Sequence, residues 1–262
     1  MGKLSDFFSF VSFKKLFGIG GNSKMTETNN VRNRKNAIEL EEAFSKKNFF
    51  KKFNKVWISG VIEEEFQYSH KVFETKYYKT RVKVKRLSGV EDYVPIIVSE
   101  SHVANITGTS HKGKFANVLG RFTTHKSIGD DGGNHIEYFV SVENIDIYEN
   151  EDELQERDVN LIFLEGVIRE KPTFRTTPFG REITDLSVMV DRENYRGRDR
   201  IWCIAWEKLS DYVQKLKSGD RVRVYGRIQS REYIKKSSPD SEYGEIRTTY
   251  EVSVYRMIKV ED

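Results

Sequence analysis

The segment Gly60-Val61-Ile62 returns 106 residues later as Gly166-Val167-Ile168. The same offset carries Val82 and Val84 onto Val188 and Val190, Val98 onto Ile204, Gly113 onto Gly219, and Gly120-Arg121 onto Gly226-Arg227. Tyr138, Val140, Ser141 and Val142 then match Tyr250, Val252, Ser253 and Val254 at an offset of 112, which puts six extra residues of the second copy in the loop around Lys235 to Gly244. A chain that holds one frame across several separate elements builds the same small unit twice. At 262 residues it has room for two domains, each large enough for its own core.

Each copy reads as five strands with a helix between the third and the fourth. In the second copy the strands are expected near Leu161 to Arg169, Glu182 to Asp191, Arg200 to Trp206, Asp220 to Arg231 and Arg247 to Lys259, with a helix over Glu207 to Leu216 where Leu209, Tyr212, Val213 and Leu216 recur at helical spacing. Glycines inside strands, Gly60 and Gly166 in the first and Gly120 and Gly226 in the fourth, suit the sharp coiling of a closed barrel. The expected fold is therefore all-β with one short helix per domain: two tandem OB-fold five-stranded barrels, at 55–150 and 158–262. Residues 1–54 precede them as a leader with a linker and a helical pattern. The run Phe7 to Phe17 in that leader is too short to span a bilayer and is interrupted by Lys14 and Lys15, so no membrane span is expected.

Alternation in Ile201 to Trp206 puts Ile201, Cys203 and Ala205 on one face and Trp202, Ile204 and Trp206 on the other. Because the first set already supplies a core face, the tryptophans are expected to look outward. In the next strand Val222 and Val224 oppose Arg221, Arg223 and Tyr225. Aromatics and arginines on one side of a small sheet suit a flat ligand that carries negative charge. Net charge does not settle the matter, since 44 Lys+Arg face 40 Asp+Glu. Cys203 is the only cysteine, which excludes a disulfide framework, places the chain in a reducing, cytosolic compartment and reads as a small buried hydrophobe.

The second copy resembles bacterial single-stranded-DNA-binding proteins through NLIFLEGVIREKPTFRTTPFGREITDLSV, IWCIAWEKL, SGDRVRVYGRIQSREY and TYEVSV, in that family's order and spacing. The region from Val56 to Val260 is similar to a two-OB-fold, clostridial-type subgroup of it, the first copy matching in SHKVFETKYYKTRVKVKRLSG and VPIIVSES. The resemblance implies that single-stranded DNA wraps the barrel face, with bases stacked on Trp206, Tyr233 and Tyr195, and alternation puts Trp202 on the same face as a further stacking residue, where the family often has a basic one. Arg175, Arg181, Arg192, Arg200, Arg227 and Arg231, with Lys83 and Lys85 in the first copy, would meet phosphates, and ordinary pairing with nearby acids is the competing reading for them. Arg200 stands where common members carry a tryptophan. The 106-residue frame sets Ile96 and Glu100 against Trp202 and Trp206, so the second copy is expected to be the principal binder. The resemblance also implies a homodimer, giving four barrels, with replication or repair proteins as further partners.

Enzyme signals are weak. Gly108 to Lys114 begins like a phosphate-binding loop, but Phe115 stands where a Mg²⁺-binding hydroxyl is needed and the repeat aligns Lys114 with Asp220 in a plain turn. The five histidines, all in the first copy, form no pair at helical metal-ligand spacing and have no cysteine beside them. A non-catalytic protein without metal or cofactor is expected, binding single-stranded DNA in replication, recombination or repair. The alternative is an OB-fold protein-interaction module of a primosome or phage assembly.

Overall fold

The computed structural model describes residues 54–86, 88–128, 134–154, 156–192, 197–236 and 244–261. The Phe-rich leader lies outside them. The first barrel is built from β1 (Asn54–Ile62), β2 (Gln67–Val72), β3 (Thr75–Lys85), β4 (Glu91–Ser99), β5 (Phe115–Ile128) and β6 (Asn134–Tyr148). After a single 3-10 turn, Glu151–Glu153, the second follows as β7 (Val159–Ile168), β8 (Thr173–Thr176), β9 (Glu182–Asp191), β10 (Arg198–Trp206), α1 (Lys208–Val213), β11 (Arg221–Lys236) and β12 (Gly244–Lys259). Short β2 and β8 form hairpins with β3 and β9, so the five expected strands per copy become six.

Each barrel closes in the same way. In the first, β1 pairs with β3 at Val61↔Lys83 and with β5 from Val56↔Gly120 to Val61↔Phe115, while β4 meets β6 in parallel at Ile96↔Val140. The second repeats this with β7, β9, β11, β10 and β12. This is a tandem pair of OB-folds. The inward residues are the aliphatics that alternation selects: Ile58, Val82, Ile96, Phe122 and Val140 in one barrel, and Leu164, Val188, Ile201, Ile228 and Val252 in the other.

Glycine is required where strands cross the corner. A Cβ on Gly166 would lie 2.4 Å from the Met189 carbonyl oxygen, and one on Gly226 would lie 2.5 Å from that of Ser253. At Gly226 β11 has a register shift and departs from β7. Beyond it, Asn160 stands in for backbone: its Nδ2 donates to the Ile228 carbonyl at 2.7 Å and its Oδ1 accepts from the Ile228 N–H at 2.9 Å. Asn54 does the same for Phe122 at 2.7 and 3.0 Å. Each buried amide thus satisfies a donor and an acceptor that the splitting strands would orphan.

The helix differs between copies. In the second, α1 covers part of the expected span and is tied to β9 by Thr184 Oγ1 and Ser210 Oγ, 2.7 Å apart. In the first, residues 100–110 form turns instead of a helix. Asn105 takes φ +52° there, and β-branched residues with Gly108 give the stretch little helical preference. Val103 and Ile106 are buried all the same.

The two barrels are joined by an antiparallel ladder between β1 and β7, running from Asn54↔Leu164 to Ser59↔Val159. Val56 pairs with Ile162, its own counterpart 106 residues on, so the ladder is two-fold symmetric about that pair. Two ion pairs repeat the symmetry. Arg192 grips Asp199 through Nε at 3.0 Å and Nη2 at 2.6 Å, and Asp199 Oδ1 also accepts from the backbone N–H and hydroxyl of Thr124 in the other barrel, at 2.8 and 2.9 Å. Arg192 Nη2 donates in addition to the Thr124 carbonyl at 2.6 Å. Arg86 grips Asp92 in the same fork, and Asp92 accepts from the N–H of Ser230, the counterpart of Thr124, at 3.3 Å. The carboxylates hold both guanidinium pKa values above their ordinary range.

Asp92 and Asp199 are 1% and 3% exposed, so deleting either leaves a guanidinium without its carboxylate and an opposing backbone N–H without its acceptor. Asp199→Ala is expected to lower unfolding free energy by about 3 kcal/mol, the range for breaking a buried pair, discounted because Arg192 reaches solvent. Asp185→Ala, which removes the exposed partner of Arg175, should cost less than about 1 kcal/mol. Urea unfolding of the two variants side by side checks the difference.

Candidate nucleic-acid interface

The outward side of the second barrel is made by alternate residues of β8 to β12. β10 contributes Arg200, Trp202, Ile204 and Trp206, while Ile201, Cys203 and Ala205 enter the core as expected. Burial pushes the Cys203 thiol pKa far up, which suits an inert core residue. Trp202 is 37% exposed and Trp206 partly so, but Ile204 between them is buried.

Neither indole is bare. The Arg200 guanidinium lies over the Trp202 ring at 4.5 Å and that of Arg181 over Trp206 at 4.6 Å. Both arginines also hold a carboxylate: Arg200 Nη2 donates to Glu170 at 2.9 Å, and Arg181 Nε donates to Glu207 at 2.9 Å. Arg175 forks onto Asp185, which raises its pKa further. Across β11 and β12, Arg231 stands 3.6 Å from Glu251, Gln229 donates to the same carboxylate at 2.7 Å, and Arg227 reaches Gln229 at 3.4 Å and lies 6.0 Å over Tyr255. Arg200 and Arg227 each keep an Nε–H that meets no acceptor.

The structure therefore brings Trp202, Trp206, Arg175, Arg181, Arg200, Arg227 and Arg231 onto one side of the second barrel. Arg192 is the exception and a correction to the sequence expectation: it is held in the inter-barrel pair with Asp199, where a phosphate would have to displace a buried carboxylate. Tyr195 lies outside the described residues. Tyr233 is in the β11–β12 hairpin, opposite Arg247, and its side chain is also outside them. Tyr225, expected beside the arginines, is buried against Phe163 with ring centroids 5.1 Å apart.

Register corrects the comparison of the two copies. Trp202 pairs with Ser187 and Trp206 with Ile183, and the residues pairing at the matching positions of β3 are Pro95 with Arg81 and Ser99 with Tyr77. The counterparts of the tryptophans are thus Pro95 and Ser99, not Ile96 and Glu100. Strand three is offset by 107 residues because the connection before it is one residue longer in the second copy. The pairs Arg86–Asp92 and Arg192–Asp199 carry that signal in the sequence.

With the register set, the first barrel's outward side shows Tyr77 stacked on His70 at 4.9 Å and 4°, and Arg81 over Tyr93 at 5.7 Å. Sequence reasoning missed this aromatic set. Lys83 lies 3.5 Å from Glu63 and 4.0 Å from Glu91, whereas Lys79 and Lys85 are exposed and their ammonium groups form no ion pair with a described residue. The Gly108–Lys114 stretch ends in a turn: Gly113 N–H donates to Ile62 as Gly219 N–H does to Ile168. No described helix is long and apolar enough to cross a membrane.

Comparison with known proteins separates the two halves. Residues 159–258 match the Single-strand binding protein family. Two curated relatives from Staphylococcus aureus, Single-stranded DNA-binding protein 1 of strain COL and Single-stranded DNA-binding protein 2 of strain MSSA476, are each 32% identical over 81 residues, 29% of this chain. The chain spans about half the length of these relatives, 48% of each. Among solved structures, the wild-type single-stranded DNA binding protein from Thermus aquaticus superposes with a TM-score of 0.62 at 20% identity, covering 80% of this chain and 93% of that one. A deletion mutant of the same protein gives 0.62 at 21% identity, covering 80% and 95%. The tandem architecture is thus shared along both barrels, whereas the match to the Single-strand binding protein family is carried by residues 159–258, within the second barrel.

Proposed function

We propose that this chain binds single-stranded DNA without strong sequence preference and without catalysis, serving replication, recombination or repair in the cytoplasm. The observation that carries the reading is the pair of outward tryptophans on β10, each with a guanidinium on its ring. An exposed cation–π contact is worth about 0.5–1 kcal/mol and an exposed ion pair about 0–1 kcal/mol. A nucleobase stacked on an aromatic ring contributes about 1–3 kcal/mol. A base can therefore displace the guanidinium, which is left beside the incoming phosphate and can exchange its carboxylate for it. Stacking is indifferent to base identity because every base has a π-face.

In this reading the two domains, 55–150 and 158–262, are barrels of the two-OB-fold, clostridial-type subgroup that follow the leader 1–54, and two chains pair to present four barrels. The second barrel is the principal binder, with Tyr195 and Tyr233 extending its stacking surface. Lys79 and Lys85 of the first add positive charge that no described carboxylate pairs, and Lys83 a paired one.

Titration with an unlabelled oligothymidylate should quench tryptophan emission. The double variant Trp202→Ala, Trp206→Ala should lose at least about thirtyfold in affinity, two stacks at the low end of the range. Trp57, whose Nε1 donates to Asn117 at 2.6 Å in the β1 ladder, should stay unquenched in that variant. Unchanged affinity would refute the assignment and leave the barrels as protein-interaction modules.

Salt dependence tests the first barrel. Each phosphate neutralised on a single strand contributes about −0.7 to the slope of log affinity against log salt. Lys79→Ala with Lys85→Ala in the full chain should reduce that slope by about 1.4 and leave the quenching amplitude at saturation intact.

A further inference from the structure

Glu207, the residue that joins β10 to α1, has a backbone suited to glycine. Its φ is +51° and its ψ −128°, a region that a residue with a Cβ enters at a cost. The junction itself is fixed: the Glu207 N–H donates to the Glu182 carbonyl at 2.9 Å, and the Glu207 carbonyl accepts from the Asp211 N–H at 3.4 Å as α1 begins. A glycine would meet that geometry without strain, and a serine, aspartate or asparagine would cap the helix. Glu207 does neither, since its side chain makes no capping bond.

What the side chain does instead is hold Arg181. Its carboxylate accepts from Arg181 Nε at 2.9 Å while that guanidinium lies over Trp206 at 4.6 Å. Arg181 is anchored in turn by its backbone, whose N–H donates to Thr177 Oγ1 at 3.0 Å and whose carbonyl accepts from the Thr177 N–H at 2.8 Å. Cation and carboxylate therefore come from segments whose backbones are each fixed, on either side of the ring. The first barrel keeps the glutamate but not the arrangement. Glu100, its counterpart at the 107-residue offset of strand three, repeats the backbone bond, to the Lys76 carbonyl at 2.9 Å, but turns its carboxylate back onto the Lys76 N–H at 3.2 Å. Ser99 stands before it in place of the tryptophan. A strained residue that caps nothing and holds one cation on one ring is placed for that contact.

We propose that Glu207 is an autoinhibitory latch: its carboxylate takes the place of a phosphate on Arg181 and keeps the guanidinium on Trp206 until a strand displaces both. The inference rests on the single-strand-binding reading above and adds to it an internal competitor that lowers affinity. The test is a double-variant cycle of Glu207→Gln and Arg181→Gln in the full chain, with affinity for oligothymidylate read from tryptophan quenching. Glu207→Gln should bind about threefold more tightly than wild type, as one exposed ion pair no longer competes. In the Arg181→Gln background the same substitution should leave affinity unchanged, because the competitor has no cation to hold. Glu207→Gly should bind as tightly as Glu207→Gln and melt no lower than wild type, since the strained φ is relieved; tighter binding is then not the by-product of a loosened fold. A gain of equal size in both backgrounds would make Glu207 one negative charge among many and overturn the latch. So would a wild type that binds oligothymidylate beside a Glu207→Gln variant that binds it no more tightly. If wild type itself fails to bind, the single-strand reading falls and the latch with it.

Discussion

The β1–β7 ladder is the contact on which the rest of the architecture depends. Each barrel leaves the outer edge of its first strand open, and an open edge pairs with whatever strand it meets. Here each edge meets its own repeat. Because Val56 faces Ile162, its counterpart, the main contacts on either side of that centre recur: Asn54 and Asn160 in the barrel seams, Arg86–Asp92 and Arg192–Asp199 at the flanks. The continuous sheet ends at β2 and β8. Separating the barrels would uncover two edges at once and strip both buried aspartates of their partners across the join. The two-barrel unit, not the single barrel, is therefore the entity to which stability measurements refer.

Symmetry holds in the interior and lapses on the outward side. Core aliphatics, corner glycines and seam asparagines match between copies because closure of the barrel dictates them. The outward residues of strand three carry no such constraint, and there Trp202 and Trp206 stand against Pro95 and Ser99. Charge lapses in the same place. Arg175, Arg181, Arg200 and Arg231 of the second copy are each held by a carboxylate, while Lys79 and Lys85 of the first are exposed with no described carboxylate on their ammonium groups. Those four arginines are prearranged and partly neutralised, whereas Lys79 and Lys85 offer diffuse charge that salt screens.

Much of this was legible in the sequence. Strand alternation placed the core and turned the tryptophans outward, and the in-strand glycines marked the corners where backbones touch. The misses share a physical origin. The one-residue shift in strand three is hidden because a longer connection before it is offset by a shorter one after it, so the frame returns at Gly113 and Gly219. Asn54 and Asn160 bond to backbone 68 residues away, and Arg192 to a carboxylate that also serves the other barrel. Periodicity reports which way a side chain points but not what it meets there. The absent helix of the first copy is a different case, in which burial of Val103 and Ile106 is achieved by turns as well as by a helix.

The choice of arginine on the second barrel follows from geometry. A guanidinium is planar, so it can lie flat on an indole and still direct N–H groups in its own plane at a carboxylate, as Arg200 does with Trp202 and Glu170 and Arg181 does with Trp206 and Glu207. An ammonium cannot present a flat face to the ring and a fork to an acid together. The arrangement shields two large apolar rings from water with groups that each hold a carboxylate, which limits the tendency of exposed tryptophans to associate with one another. It also keeps them available, since each cover is held by two weak contacts. Replacing Glu170 or Glu207 by an apolar residue would loosen that cover, whereas replacing Arg200 or Arg181 would bare the ring.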